Sequence, residues 1–220
     1  MQIEDYVFRI MDNNVRMQEV LGEYNWNVDM RLGTIAFKTK SGAVIATCPV
    51  QLVGSEANGT WLWAWANKES NPPADLLVAV GKLKEDGTEA HFQITEEFPV
   101  PSETFGHEMA ILCAGLSGSY GTFRCPFSGG ALYVVVESFP KARNLPFNAN
   151  RTTQAVLAAI STFKVKDHRA AWEAFPVGER LEVSFDDQDR IKNIQMTLSP
   201  ENLPTERPSL LGRLFGKRNG

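Results

Sequence analysis

The chain is sparing with the residues that most often carry chemistry. Its 220 residues include three histidines and three cysteines. His91, His107 and His168 have no metal-ligand spacing, and neither Cys-x-x-Cys nor His-x-x-x-His occurs. A zinc site built from one local motif is therefore excluded. Cys48, Cys113 and Cys125 form an odd, widely spaced set, which suits buried free thiols in a reducing compartment better than a disulfide framework. No apolar run approaches the roughly 18 residues of a membrane span. The longest runs, such as Ala131 to Val136, have the length of buried strands. Glu4 and Asp5 stand where a secretory leader would carry basic residues, so the expected location is cytoplasmic.

Catalytic signatures are missing as well. Gly115-Leu-Ser-Gly-Ser119 lacks the last glycine of a nucleophile elbow and reads as a flexible turn. His107 and Cys113 are six residues apart; at about 100° per residue a helix would hold them on largely different sides, a poor dyad. Asp186, Asp187 and Asp189 cluster without the glycine and terminal glutamate of a calcium loop, and read as a solvated turn. No Walker loop or dinucleotide fingerprint is present. No cofactor and no metal are expected, and the reading leans away from an enzyme.

Charge is uneven. The net value of −4 includes Arg207, Arg213, Lys217 and Arg218 after the last acid, Glu206. Residues 1–206 then hold 18 basic against 26 acidic side chains, a net −8. An acidic body argues against nucleic acid, whose phosphates need clustered positive charge, and admits a basic protein partner.

At 43% hydrophobic content the chain can bury a substantial core, and one α+β domain over residues 1–200 is expected. Apolar residues recur at helical intervals from Ile3 to Leu21, with Gly22 as the stop. Strand patterns follow at Gly33 to Lys38, Ala43 to Ser55 and Thr60 to Ala66, separated by Ser41-Gly42 and Asn58-Gly59, dipeptides suited to antiparallel hairpins. Helices are predicted from Ala74 to Leu83 and Glu103 to Leu116, then strands near Thr122 to Arg124 and Ala131 to Glu137. Asn150 is the expected cap of a helix that turns Val156, Leu157 and Ile160 inward, and Asp167 caps a shorter one ended by Pro176 and Gly178. Two alternating runs, Leu181 to Phe185 and Ile194 to Leu198, predict a terminal hairpin. Residues 201–220 read as a basic tail in which Leu210, Leu211, Leu214 and Phe215 could touch a partner or an anionic membrane surface. The predicted fold is thus α+β: a curved, mainly antiparallel sheet with an N-terminal helix and further helices packed on it.

In Thr60-Trp-Leu-Trp-Ala-Trp-Ala-Asn67, alternation sends Trp61, Trp63 and Trp65 to one face and Leu62, Ala64 and Ala66 to the other. A strand apolar on both faces is normally covered on both. Packing is the leading role of the three indoles. A ligand site formed by Trp61, Trp63, Trp65 and Asn67 is the functional alternative. Together with Gly54-Ser55, Ser119-Tyr120 and Leu132-Tyr-Val-Val-Val136, this segment resembles a family of uncharacterised bacterial proteins, over about residues 20–200. The resemblance brings no catalytic residues. It implies, through relatives near toxin genes, an immunity-type role. Two functions are therefore expected in turn: a non-enzymatic binding protein that neutralises a toxin, or a small-molecule binder or enzyme with an aromatic pocket beside the tryptophan strand, with His107 or His168 as the histidines expected near helix ends.

Overall fold

The computed structural model describes residues 2–86, 96–176 and 181–196. Gly87, His91, Gly178, Leu198 and the basic tail lie outside the described residues.

After a 3-10 turn at Ile3–Asp5, helix α1 spans Val7–Leu21, and Gly22 ends it with φ 58° and an N–H donated to the Gln18 carbonyl at 2.9 Å. Strands β1 (Asn25–Asp29), β2 (Thr34–Lys38), β3 (Val44–Ala57) and β4 (Thr60–Trp63) follow as an antiparallel meander. Gly42 turns the chain at φ 91°, and Asn58 and Gly59 do so at 50° and 78°, the positive values that two-residue hairpins require. Next come α2 (Val78–Asp86), β5 (Glu97–Pro99), α3 (Phe105–Ser117), β6 (Gly121–Phe127) and β7 (Gly130–Val136). The last part comprises α4 (Pro140–Arg143), α5 (Ala149–Thr162), α6 (His168–Glu173) and the hairpin β8 (Leu181–Phe185) to β9 (Ile191–Met196).

β3 organises the sheet. Residues 44–49 pair with β2 and residues 54–57 with β4, while β7 runs antiparallel along residues 50–57. β6 pairs with β7, and β5 with β4. The result is a curled antiparallel sheet of seven strands. The tryptophan strand is shorter than the sequence predicts, ending at Trp63, and residues 64–66 form a 3-10 turn. The reason lies in β3. Its register against β7 shifts between Leu52 and Gly54, immediately beyond the Gly54–Trp63 pair at which β4 ends, and such an irregularity bends a strand and interrupts its ladder.

Both faces of the sheet are covered. Along β7, Ala131, Tyr133 and Val135 join a core with Trp61, Trp63 and Phe105, and Val134 and Val136 join a second with Phe37, Leu52 and Phe123. α1 serves both, contributing Val7, Phe8 and Ile10 to the first and Met17 and Leu21 to the second. The fold is α+β, as the periodicities predict. Three local readings change. The cap of α5 is Asn148, whose side chain accepts from the Arg151 N–H at 3.0 Å, and not Asn150. Leu157 is 54% exposed, because Ala155, Val156 and Ala159 form the inward face. The Gly115 to Ser119 segment is no flexible turn: it closes α3, with Gly118 at φ 71° and Ser119 buried. Among the described residues no helix is long and apolar enough to cross a membrane.

Candidate functional site

The tryptophan segment divides at the end of β4. Trp61 and Trp63 are 0% and 4% exposed, edge to face at 5.4 Å, and both meet Phe105. Trp65 is displaced into the 3-10 turn and half-buried, with the Lys84 ammonium 3.8 Å above its ring. Asn67 accepts from the Ser70 N–H and borders a cavity of about 20 Å³ with Leu62 and Ala64, room for about one water. The segment is largely interior, and its contact with a more open region runs through Tyr133.

Tyr133 lies in β7 with its ring 5.5 Å from that of Trp61. Gly106 of α3 makes this possible, since a Cβ there would collide with the phenol ring. His107, the next residue, meets the same ring edge-on at 5.2 Å. The Tyr133 hydroxyl accepts from Arg124 Nε at 3.2 Å, and the Arg124 guanidinium pairs with Glu56 at 3.1 Å. A chain of contacts therefore leads from the buried indoles to β6.

Among the described residues β6 is paired with β7 along one edge only. Along the other, Asn14 of α1 accepts from the Thr122 N–H at 2.9 Å and donates to the Thr122 hydroxyl at 2.9 Å, and Pro126 carries no N–H. These features discourage strand addition. Side chains span the gap instead: Phe123 sits 5.8 Å from Trp26 and 6.1 Å from Tyr24, with Phe37 behind it at 5.2 Å. A cleft of about 490 Å³ opens along this edge, lined by Tyr24, Trp26, His107, Phe123 and Arg124 with the amides of Asn14 and Gln18. Phe123 and Arg124 point to opposite faces of β6, so the cleft wraps the strand edge.

Its electrostatics suit a neutral, hydrogen-bonding wall. Burial, and after it the neighbouring Arg124, push His107 below its ordinary value, with Glu56 and Glu108 opposing. A neutral imidazole offers one donor and one acceptor. The Tyr133 hydroxyl is pushed up, chiefly by burial, and stays protonated.

Residues 3–139 match the model of a family of unknown function, DUF6882. The chain belongs to this family. The DUF6882 segment begins at the N-terminal helix and ends at Phe139, whereas the sequence resemblance suggested residues 20–200. It contains every residue lining the β1–β6 cleft. No curated protein and no solved structure matches the chain.

The remaining candidates occupy structural positions. His168 is buried and its Nδ1 accepts from the Ile191 N–H at 3.0 Å, tying α6 to β9. Asp186 accepts from the Gln188 and Arg190 N–H groups and from Arg190 Nε at 2.8 Å, closing its turn. Cys48 and Cys125 are pushed up by burial to about 11 and about 12, and Cys113 is raised further; protonated thiols are poor nucleophiles. Among the described residues no group of three His, Cys, Asp or Glu side chains could hold a metal. Of the cleft residues, the sequence reading singled out only His107. The aromatic i, i+2 pair Tyr24 and Trp26 was the available signal.

Proposed function

We propose that the protein is a non-enzymatic binding protein that holds a planar, polar-edged group of its ligand in the cleft between β1 and β6. The observation that carries this reading is the half-open aromatic seam. Tyr24 and Trp26 are only half-buried although they stand beside Phe123, so their rings offer stacking surface beside the imidazole and guanidinium of His107 and Arg124. The test is a fluorescence titration with a panel of aromatic and heteroaromatic metabolites, comparing the parent with Trp26→Leu. A saturable signal that the variant loses supports the reading. Identical titrations for both proteins, or no saturation across the panel, would reject it.

A second reading, an immunity-type protein that occludes a basic partner, draws on the net charge of −8 over residues 1–206. Co-expression with toxins encoded beside the gene tests it. Failure to rescue growth against every such toxin would count against it. Ligand contact through Trp61, Trp63, Trp65 and Asn67 is proposed only at the Trp65–Asn67 end, where side chains are half-exposed.

A further inference from the structure

A second cleft lies on another face of α1. Arg9 and Arg16 are seven residues apart, two helical turns, and so share one face of the helix. With Arg143 at the end of α4 and the Gly118 to Tyr120 segment leading into β6, they line a cavity of about 290 Å³. Among the described residues the only lining carboxylate is Asp12. Its charge is already engaged, by Arg16 Nε at 2.7 Å and by the Thr152 hydroxyl at 2.9 Å. Arg9 and Arg143 have no carboxylate partner among the described residues. Each contacts an aromatic ring instead, Tyr6 at 6.0 Å and Tyr120 at 5.8 Å. An acidic chain thus concentrates three guanidinium groups against one occupied acid.

The second observation is Tyr120. Its side chain is 5% exposed, and its hydroxyl has no hydrogen-bond partner among the described residues. A buried hydroxyl without a partner destabilises the fold, because its lost hydration is not replaced. The charges acting on that phenol are Arg16, Asp12, Arg143 and Arg151, and burial pushes it up to about 12, so it remains a donor. An orphaned donor therefore accompanies the guanidiniums of Arg9 and Arg143, and an acceptor is the missing element.

The geometry points to a binding site for a phosphate group, either inorganic phosphate or a small phosphomonoester, held by Arg9, Arg16 and Arg143 and by the Tyr120 hydroxyl. A dianion with several acceptor oxygens matches this donor set better than a carboxylate, whose two oxygens would leave donors unfilled. The cavity is at the small end of ligand pockets, which limits the ester to a compact substituent. The site is separate from the cleft along β6 and does not depend on it.

The experiment is calorimetric titration of the full-length chain, in phosphate-free buffer at low ionic strength, with inorganic phosphate, phenyl phosphate and acetate as separate probes. Saturable binding is expected for at least one phosphate probe. Arg143→Gln and Tyr120→Phe are each expected to weaken it about tenfold, and Lys68→Gln, an exposed cation elsewhere, to leave it unchanged. Tyr120→Phe removes only an orphaned hydroxyl, so its melting temperature without phosphate should not fall, which separates loss of binding from loss of fold. If Arg143→Gln nevertheless unfolds, Arg9→Gln takes its place. Three results would each overturn the assignment: no saturation with either phosphate probe, equal affinity in parent and both variants, or acetate binding as tightly with the same dependence on Arg143. Preference for phenyl phosphate over inorganic phosphate would identify an ester as the ligand.

Discussion

Arg124 Nε donates to the Tyr133 hydroxyl at 3.2 Å, and this bond joins a tyrosine that is 1% exposed to a solvent-facing arginine. The Arg124–Glu56 pair beside it has side chains 39% and 20% exposed, where ion pairs contribute about 0–1 kcal/mol. Arg124→Gln should therefore lower unfolding free energy by less than about 1 kcal/mol in urea, and any larger effect on ligand titrations would belong to the cleft.

Two glycines should respond with opposite sign. Gly106→Ala places a methyl group against the Tyr133 ring, and overpacking of this kind costs about 1–3 kcal/mol. Gly81 lies inside α2 with no atom within 4 Å of a built Cβ, so Gly81→Ala should stabilise by about 0.5–1 kcal/mol through helix propensity. Urea midpoints of the two variants would move apart. A Gly106→Ala protein as stable as the parent would contradict the packing of Tyr133 described above.

Trp61 and Trp65, two turns of the same sequence pattern, should differ. Trp61→Ala empties a fully buried site against Gly54 and Tyr133 and should cost about 3–5 kcal/mol. Trp65→Ala removes a half-buried ring and its Lys84 contact and should cost less than half as much. Chemical denaturation of both variants checks the ordering.

The difference between these two indoles shows which parts of the molecule the sequence could disclose. α1, the turns at Gly42 and Asn58-Gly59 and the Asp167 cap are set by neighbours within a few residues, and all were legible. The end of β4 was not, because it coincides with an irregularity in its neighbour β3 between Leu52 and Gly54, residues that no alternation at 60–66 reveals. The cleft was invisible for the same reason. Trp26, His107 and Arg124 come from three distant segments, joined by a sheet curl that arises from tertiary pairing. On α1, the shared face of Arg9 and Arg16 could have been read from spacing, but Tyr120 and Arg143 could not.

Stability should depend on pH through His107. Its folded pKa is depressed, by burial first, from an ordinary value of 6.5. As pH falls through about 6.5 the unfolded chain takes up a proton before the folded one does, so this contribution is fully present above that pH and lost below it, levelling once the folded imidazole also protonates. His107→Gln should flatten the slope of unfolding free energy between about pH 7 and 5. An unchanged slope would place the histidine in ordinary solvent.

The cysteines should be silent in the native state. With Cys48, Cys113 and Cys125 buried and their thiols raised, an aromatic disulfide reagent at pH 8 should label none on the timescale on which it labels all three in urea. Rapid native labelling of any one would reveal an opening of its core.

The clasp between Asn14 and Thr122 spans 108 positions of the chain. On a ribosome adding about 5–20 residues per second, roughly 5–20 s separate the emergence of α1 from that of the strand it closes. Throughout that interval Val7, Phe8, Ile10, Met17 and Leu21, all buried in the finished protein, lack β6 and the later helices α4 to α6 on which α1 packs. Helix α1 is therefore the stretch that a holding chaperone would be called on to shield.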